Sequence, residues 1–403
     1  MRWYVVGLLC AGMVIGYIDR VNLSSAMPLM EEDFGWSKTM QGQALAAFFW
    51  IYAALQIPAG LAADRWGMRI TFLGGFLIWC TATAATGLTS TLGMLIGFRL
   101  LLGLGQAILT PGGMRYIRMH FSEEQRGSAI GIFMAGTKFG PAIGFIVVAY
   151  LIESFGWRGM FLALGLGALV WLIPFMAWVR KDDPAALPGE LGGTGDEKGV
   201  STAQLVKSPV IWGTFIGTFC YMYFVYYCMT WMPTYFKEQY GMSIKEQGWY
   251  GAVAFGGMAV VIISAGWVGD RLVAAGRDPV AVRKGFTIAG LCCASTQTLA
   301  AYTDSVSVML FFAIFSLCGL GLMTANYWAL TQTLIPGGRI ALVVGIQNTA
   351  SNLAGAISPW VTGWLVERTG SFDAPIRSIG VWLVIGLASY IFLVRRKYAP
   401  VPE

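Results

Sequence analysis

Apolar runs of about 20 residues, each closed by a short polar or charged interval, follow one another along almost the whole chain. They fall near 3–27, 41–62, 70–88, 91–113, 127–151, 159–179, 209–235, 248–269, 286–302, 306–334, 341–366 and 375–394. Runs this long exceed any ordinary strand and match the thickness of a hydrocarbon core crossed by a helix. The pattern therefore predicts an all-α membrane protein with twelve transmembrane helices. The first run lacks a small-residue cleavage site and carries Asp19-Arg20, so it is expected to stay as a helix and not be removed as a signal peptide.

The longest polar interval contains Lys181-Asp182-Asp183-Pro184 and Gly192-Gly193-Thr194-Gly195, which read as a solvated linker. It divides the chain into a first six-helix bundle over 1–180, a linker over 181–208 and a second bundle over 209–403. A short repeat supports a duplicated architecture. Gly60-Leu61-Ala62-Ala63-Asp64-Arg65 follows the second run of the first half, and Gly266-Trp267-Val268-Gly269-Asp270-Arg271 follows the second run of the second half. Two pseudo-symmetric bundles of this kind place a binding site near the membrane midplane.

Composition strengthens the membrane reading: 56% of residues are hydrophobic and only 12% charged, against about 25% charged in a soluble domain. The mean hydropathy is +0.63. With both termini placed in the cytoplasm, 18 of the 27 Lys and Arg residues fall on the inner side and six on the outer side, namely Lys38, Arg158, Lys237, Lys245, Arg368 and Arg377. That is the bias expected of inner loops, and it assigns the net charge of +6 to topology, leaving nucleic acid no claim on it.

Three cations remain inside apolar runs, Arg20, Arg99 and Lys138, with one deep carboxylate, Asp19. Ionised groups at such depth are costly and mark function by default. Arg20 lies about eight residues before the outer end of the first run and Arg99 about eight after the outer start of the fourth, so both reach a similar depth. Guanidinium forks match carboxylates, and Arg20 and Arg99 are read as a clamp for a substrate carboxylate. Tyr17, Arg20 and Ser24 share one helical face, while Asp19 and Asn22 share another about a hundred degrees away. Arg99, Leu102, Gly103, Gln106 and Thr110 form a mostly polar stripe in the fourth run.

Asp19 is the candidate proton carrier, protonated from outside and thereby releasing a cation for the anion; a permanent structural pair with an arginine is the plain alternative. Lys138 has three readings: a second anion contact, a partner for Asp19, or a side chain packed between helices. Tyr52 with Gln56, and Asn348 with Asn352, are four-residue pairs able to face a cavity or only to bond a neighbouring helix. Tyr221, Tyr223, Tyr226, Tyr227 and Trp231 could stack a ring, donate to hydroxyls or anchor at the interface. Gly136, Gly140 and Gly144 have the spacing of close helix packing.

Enzyme chemistry finds no support. His120 is the single histidine and lies in an inner loop, so no histidine triad or histidine-rich metal site can form in the membrane. The seven cysteines lie in apolar runs without Cys-x-x-Cys spacing, and no phosphate-binding Gly-x-x-x-x-Gly-Lys-Ser/Thr motif is present. Neither a metal nor an organic cofactor is expected.

The segment from Gly60 to Arg69 resembles the loop 2–3 signature of the major facilitator superfamily, and Gly266 to Arg271 resembles its weaker copy. Tyr17-Ile18-Asp19-Arg20-Val21-Asn22-Leu23, Phe98-Arg99 and Thr230-Trp231-Met232-Pro233-Thr234-Tyr235 are similar to the anion:cation symporter family, which includes sugar-acid carriers, sialin and vesicular glutamate carriers. The resemblance implies the major facilitator fold, a bacterial inner-membrane location, a monomer, and protons and a small organic anion as partners. It implies substrate contacts at Tyr52, Thr137 and Asn348. Ala325 stands where the family has a hydroxyl, which leaves Asn326 or Tyr327 to serve. Gln106 replaces a second membrane carboxylate, which favours one proton per anion or uncoupled exchange. Asp64, Arg65 and Arg69, with Asp270 and Arg271, are implied to gate by pairing across the bundle interface.

The function expected is import of a small carboxylate by proton symport. An anion exchanger or drug:proton antiporter is the alternative, the latter prompted by Gly136-x-x-x-Gly140-Pro141-x-x-Gly144. A receptor or channel of the same fold is the more distant one.

Overall fold

The computed structural model describes residues 2–179, 202–303, 305–335 and 340–400. Most of the proposed linker therefore lies outside the described residues. So does the side chain of Asp64. The described chain is helical, with no strand among the described residues. Fifteen α-helices run in order: α1 (Arg2–Phe34), α2 (Lys38–Trp66), α3 (Met68–Thr86), α4 (Leu92–Gln106), α5 (Leu109–His120), α6 (Glu123–Ala168), α7 (Leu172–Trp178), α8 (Thr202–Lys207), α9 (Pro209–Thr230), α10 (Met232–Tyr240), α11 (Ile244–Ala274), α12 (Pro279–Ser295), α13 (Val306–Leu334), α14 (Ile340–Thr369) and α15 (Asp373–Phe392).

Nine helical stretches among the described residues are long and apolar enough to cross a membrane. One of them, Ser128–Trp178, contains two of the apolar runs. Gly156, at φ 68°, breaks α6 between those runs, in a left-handed conformation that a side chain would resist. Gly67, at φ 78°, makes the same kind of turn between α2 and α3. Polar caps fix helix starts: the Ser37 side chain accepts from Met40 N, Thr91 from Met94 N and Asp278 from Ala281 N.

The chain forms two compact units. The first comprises residues 1–189, 229–252 and 359–367, and the second 190–228, 253–358 and 368–403. In the first unit α1 lies parallel to α6. Cβ atoms at Gly136, Gly140 and Gly144 would run into Met13, Tyr17 and Val21 respectively, so the glycine stripe is a packing seam with a constant offset. Without lipid-driven hydrophobic gain between helices, such close approach supplies the van der Waals contact that holds them. Gly75 and Gly105 bring α3 onto α4, each facing the other's carbonyl oxygen. A Cβ on Gly103 would meet Phe48 O at 2.7 Å, so α4 lies directly on α2, one turn from Arg99.

At the expected outer end of this unit, Lys38 pairs with Glu31 at 2.6 Å and with Glu238, and Lys237 pairs with Glu32. Trp231 Nε1 donates to Pro359 O at 2.9 Å. Gly42 lies against Pro359 and Trp360, while Gly363 lies against Lys38 and Trp231. Phe145 of α6 fills the space above Gly248 and Gly251 of α11.

In the second unit α12 packs on α13 through Gly290 against Met323 and Gly319 against Cys293, and Gly321 seats α13 on Met258 and Val261 of α11. The two copies of the Gly-x-x-x-Asp-Arg signature end equivalent helices, α2 and α11.

Candidate functional site: an aromatic-lined arginine pair

In the first unit α1, α2 and α4 bring Arg20 and Arg99 together. Their side chains are buried, at 5% and 2% exposure. The Arg20 guanidinium lies over four rings: Tyr17 at 4.3 Å, Tyr52 at 4.8 Å, Phe48 at 5.0 Å and Phe49 at 6.0 Å. Arg99 lies 5.6 Å from the centre of the same Phe48 ring. Phe48 thus touches both cations. Each such contact is worth about 0.5 to 2 kcal/mol, rising with desolvation, so the ring faces partly replace the water that two buried cations have lost. Ring faces do not satisfy N–H donors, however, and among the described residues Arg99 Nε has no hydrogen-bond partner.

Asp19 points the other way, as the helical spacing predicts. Its carboxylate accepts from Trp79 Nε1 of α3 and from Asn22 Nδ2 at 2.9 Å. Arg99 reaches Asp19 through the main chain, Nη1 donating to the carbonyl oxygen at 3.3 Å. The carboxylate is therefore held by neutral donors at 2% exposure, beside the guanidinium but not in its grip. The hydrogen bond from Arg99 to Asp19 thus runs through the backbone carbonyl and not through the carboxylate. Pairing of Asp19 with Lys138 is also not found. Lys138 makes no hydrogen bond or ion pair among the described residues, because it stands on the side of α6 turned away from α1.

Gln106 ends α4 and donates from Nε2 to Gly16 O at 3.3 Å, which ties α4 to α1 below the arginines. Tyr52 and Thr110 bond through their hydroxyls at 3.4 Å. Thr137 is buried and bonds back to Met134 O at 2.8 Å, and Gln56 is half-buried one turn beyond Tyr52. The polar stripe of the fourth run divides: Gly103 serves packing, while the other polar members line the contact with α1 and α2.

The second unit holds a separate, uncharged group. Thr324 donates to Tyr221 OH at 3.0 Å, and the Tyr221 and Tyr327 rings lie 5.4 Å apart. Tyr227 is buried. Asn326 donates to Leu322 O in its own helix. Asn352 is buried and donates to Asn348 O at 3.0 Å, whereas Asn348 itself is exposed. Near the expected inner ends, Arg69 donates to Met176 O at 3.0 Å, Asp270 pairs with Arg283 at 3.4 Å, Arg271 covers Trp267 and Arg65 is exposed.

Sequence reasoning missed Phe48, Phe49 and Trp79. In an apolar run an aromatic residue reads as packing. The available signal was that Phe48 and Phe49 precede Tyr52 by one turn, on the face that meets Arg20. Gln347, which donates to Thr331 Oγ1 at 2.9 Å, was missed as well. The seven cysteines are free thiols.

The Major Facilitator Superfamily model matches residues 9–359. The chain belongs to this superfamily. As a facilitator it is a multi-pass membrane transporter and not an enzyme. The probable sulfoacetate transporter SauU of Cupriavidus necator is 32% identical, with 97% of this chain and 94% of the relative covered. The probable L-galactonate transporter of Escherichia coli is 28% identical, covering 96% and 88%. The facilitator fold is matched by a bacterial homolog of the lysosomal transporter Spinster, with a TM-score of 0.85 at 18% identity and coverage of 100% and 99%. It is matched also by the xylose transporter XylE of Escherichia coli, with a TM-score of 0.74 at 13% identity and coverage of 99% and 97%.

Proposed function

We propose that this facilitator is a proton-coupled symporter that imports a small organic anion across a bacterial inner membrane as a monomer, through twelve spans with both termini inside. The observation that carries the reading is the pair of buried guanidinium groups sharing Phe48. A carboxylate entering there meets rigid donors in a medium of low dielectric, where charge-assisted bonds are strong. Relatives named for sulfoacetate and galactonate support an acid as cargo.

Asp19 supplies the coupling. Its carboxylate and the Arg99 contact belong to the same residue, so protonation weakens the pull of Trp79 and Asn22 and shifts the backbone oxygen that anchors Arg99. Gln106 cannot carry a proton, so one proton moves per anion. That same residue favours the second reading, exchange of one anion for another without net coupling.

Alternating access needs closures that break each cycle. The Lys38–Glu31, Lys38–Glu238 and Lys237–Glu32 pairs act at the outer end. Asp64, Arg65, Arg69, Asp270 and Arg271 are the candidates for the gate at the inner end. The test is uptake into proteoliposomes of labelled sugar acids and aromatic acids. Accumulation with acid outside and no internal substrate supports symport; uptake only with substrate on both sides establishes exchange, and no uptake of any acid removes the reading.

A further inference from the structure

Three span ends meet at the expected inner surface of the second unit. Gly213, near the start of α9, lies against Leu393 and Val394 just past the end of α15. Lys284, in the second turn of α12, donates from Nζ to Val394 O at 2.8 Å and to Ile391 O at 3.2 Å. Ser208 Oγ donates to Tyr398 O at 2.8 Å, which brings the residue before α9 onto the tail after α15. In that tail Arg395 donates from Nε to Ile391 O at 2.8 Å. One carbonyl oxygen therefore takes bonds from two cations, and their nitrogens are no farther apart than the sum of those two distances.

Helix capping accounts for one of them. The C-terminal end of a helix carries about half a negative charge, spread over its last carbonyls, and a single ammonium more than offsets it. Two cations leave more than one unit of positive charge in excess, at the depth where α15 leaves its apolar run. No carboxylate answers it among the described residues: Asp278 pairs with Arg396 and caps α12 at Ala281 N, and Asp270 pairs with Arg283 at 3.4 Å. Lys397 adds a further cation, 4.6 Å from the centre of the Tyr398 ring. Arg395 uses only Nε on the helix, and its two terminal NH2 groups make no hydrogen bond among the described residues. Such groups form a fork that fits two oxygens of one anion.

The apolar neighbours say what carries the anion. Trp212, next to Gly213 in α9, is 51% exposed, and Phe392, the last residue of α15, is 60% exposed. Arg395 lies 5.7 Å from the centre of the Phe392 ring. Exposed aromatic side chains at span ends belong at the boundary between headgroups and hydrocarbon, where acyl chains lie against them. A free anion gains nothing from these rings, whereas a phospholipid uses both the cations and the rings.

We propose that Lys284 and Arg395 form a seat for the phosphate of an anionic phospholipid, whose acyl chains lie along Trp212 and Phe392. Basic pockets between spans at the cytoplasmic surface suit such headgroups. The lipid is a bound partner of the second unit, distinct from any cargo, and its seat does not depend on the symport reading above.

The test uses the delipidated full-length protein in detergent, to which phosphatidylglycerol or phosphatidylcholine with the same acyl chains is added back. Bound lipid is counted by native mass spectrometry, and a photoreactive phosphatidylglycerol is cross-linked and its attachment mapped. The expected result is binding of phosphatidylglycerol at a concentration about tenfold or more below that of phosphatidylcholine, with the label on the peptides that carry Trp212 and Phe392. In the double variant Lys284→Gln, Arg395→Gln the preference should fall to about twofold, while Lys284→Arg keeps it. Inorganic phosphate and glycerol phosphate are the soluble probes, and neither should displace the label at millimolar concentration. Displacement by inorganic phosphate assigns the seat to a free anion and overturns the lipid assignment. Equal binding of the two lipids, label confined to other helices, or an unchanged preference in the double variant also overturns it. The label is mapped on the unaltered protein, so it decides the matter even where a variant fails to fold.

Discussion

Phe48 is in contact with both guanidinium groups of the candidate site. Replacing it with leucine keeps an apolar side chain of similar bulk in α2 but removes the ring quadrupole from two cations. Two contacts at about 0.5 to 2 kcal/mol each predict about a fivefold or greater loss of anion affinity with the protein still folded. An unchanged Kd in Phe48→Leu would show that the rings only pack. Arg20→Ala and Arg99→Ala should each cost about tenfold or more in binding, because each removes a charged donor pair from a buried site; normal binding by either variant removes that residue from the clamp. Gln106→Glu restores a titratable group near Gly16, and a proton:substrate ratio raised from one to two, read from reversal potentials, is the expected result.

At this scale the charged residues were legible in the sequence, since hydrocarbon makes any ionised side chain stand out. Their partners were not. Trp79 and Phe48 are ordinary members of apolar runs, and only the meeting of α3 with α1, and of α2 with α4, gives them polar work. The exposure of Asn348 and the self-bonded Asn326 were equally invisible, because spacing places a residue on a face but does not say what covers that face.

Among the elements, glycines decide where helices approach. A methyl group at Gly103 would press on the α2 backbone, so Gly103→Ala should lower thermal stability by about 1 to 3 kcal/mol and disturb Arg99 one turn away. A Cβ at Gly42 would stand 2.6 Å from Pro359 O. Gly42→Ala should therefore hinder outer closure, and reporter cysteines near Lys38 should label faster than in the unaltered protein; equal labelling would deny the seam a gating role.

The same end carries Glu367, whose carboxylate accepts from Thr39 N at 2.8 Å and Ser37 Oγ at 2.9 Å. These bonds, Thr39 first, hold Glu367 below the usual glutamate range. A depressed carboxylate contributes stability above its ordinary pKa and loses it as pH falls through the depressed value. Outer closure should consequently loosen only as the medium becomes more acidic than the ordinary glutamate range, and Glu367→Gln should remove that acid-sensitive step in labelling. The helical elements were readable from run length and charge. The break at Gly156 and the division of the fourth run at Gln106 and Ala107 depend on packing, which run length does not encode.

For the whole molecule, the division of labour is chemical. Membrane-embedded charge belongs to the first unit, and the second offers tyrosine hydroxyls and amides with no ionised group in the described tyrosine cluster. The outer segments 229–252 and 359–367 pack with the first unit, a grouping that the linker and the signature repeat did not announce, since those marks record duplication and not where helix ends come to rest. The proton coupling proposed above draws its driving force from one titratable group, Asp19.

Counterflow and net accumulation in proteoliposomes containing Asp19→Asn test that claim most directly. The account predicts that exchange of labelled for unlabelled anion persists while accumulation driven by external acid disappears. Accumulation undiminished by the substitution would contradict it.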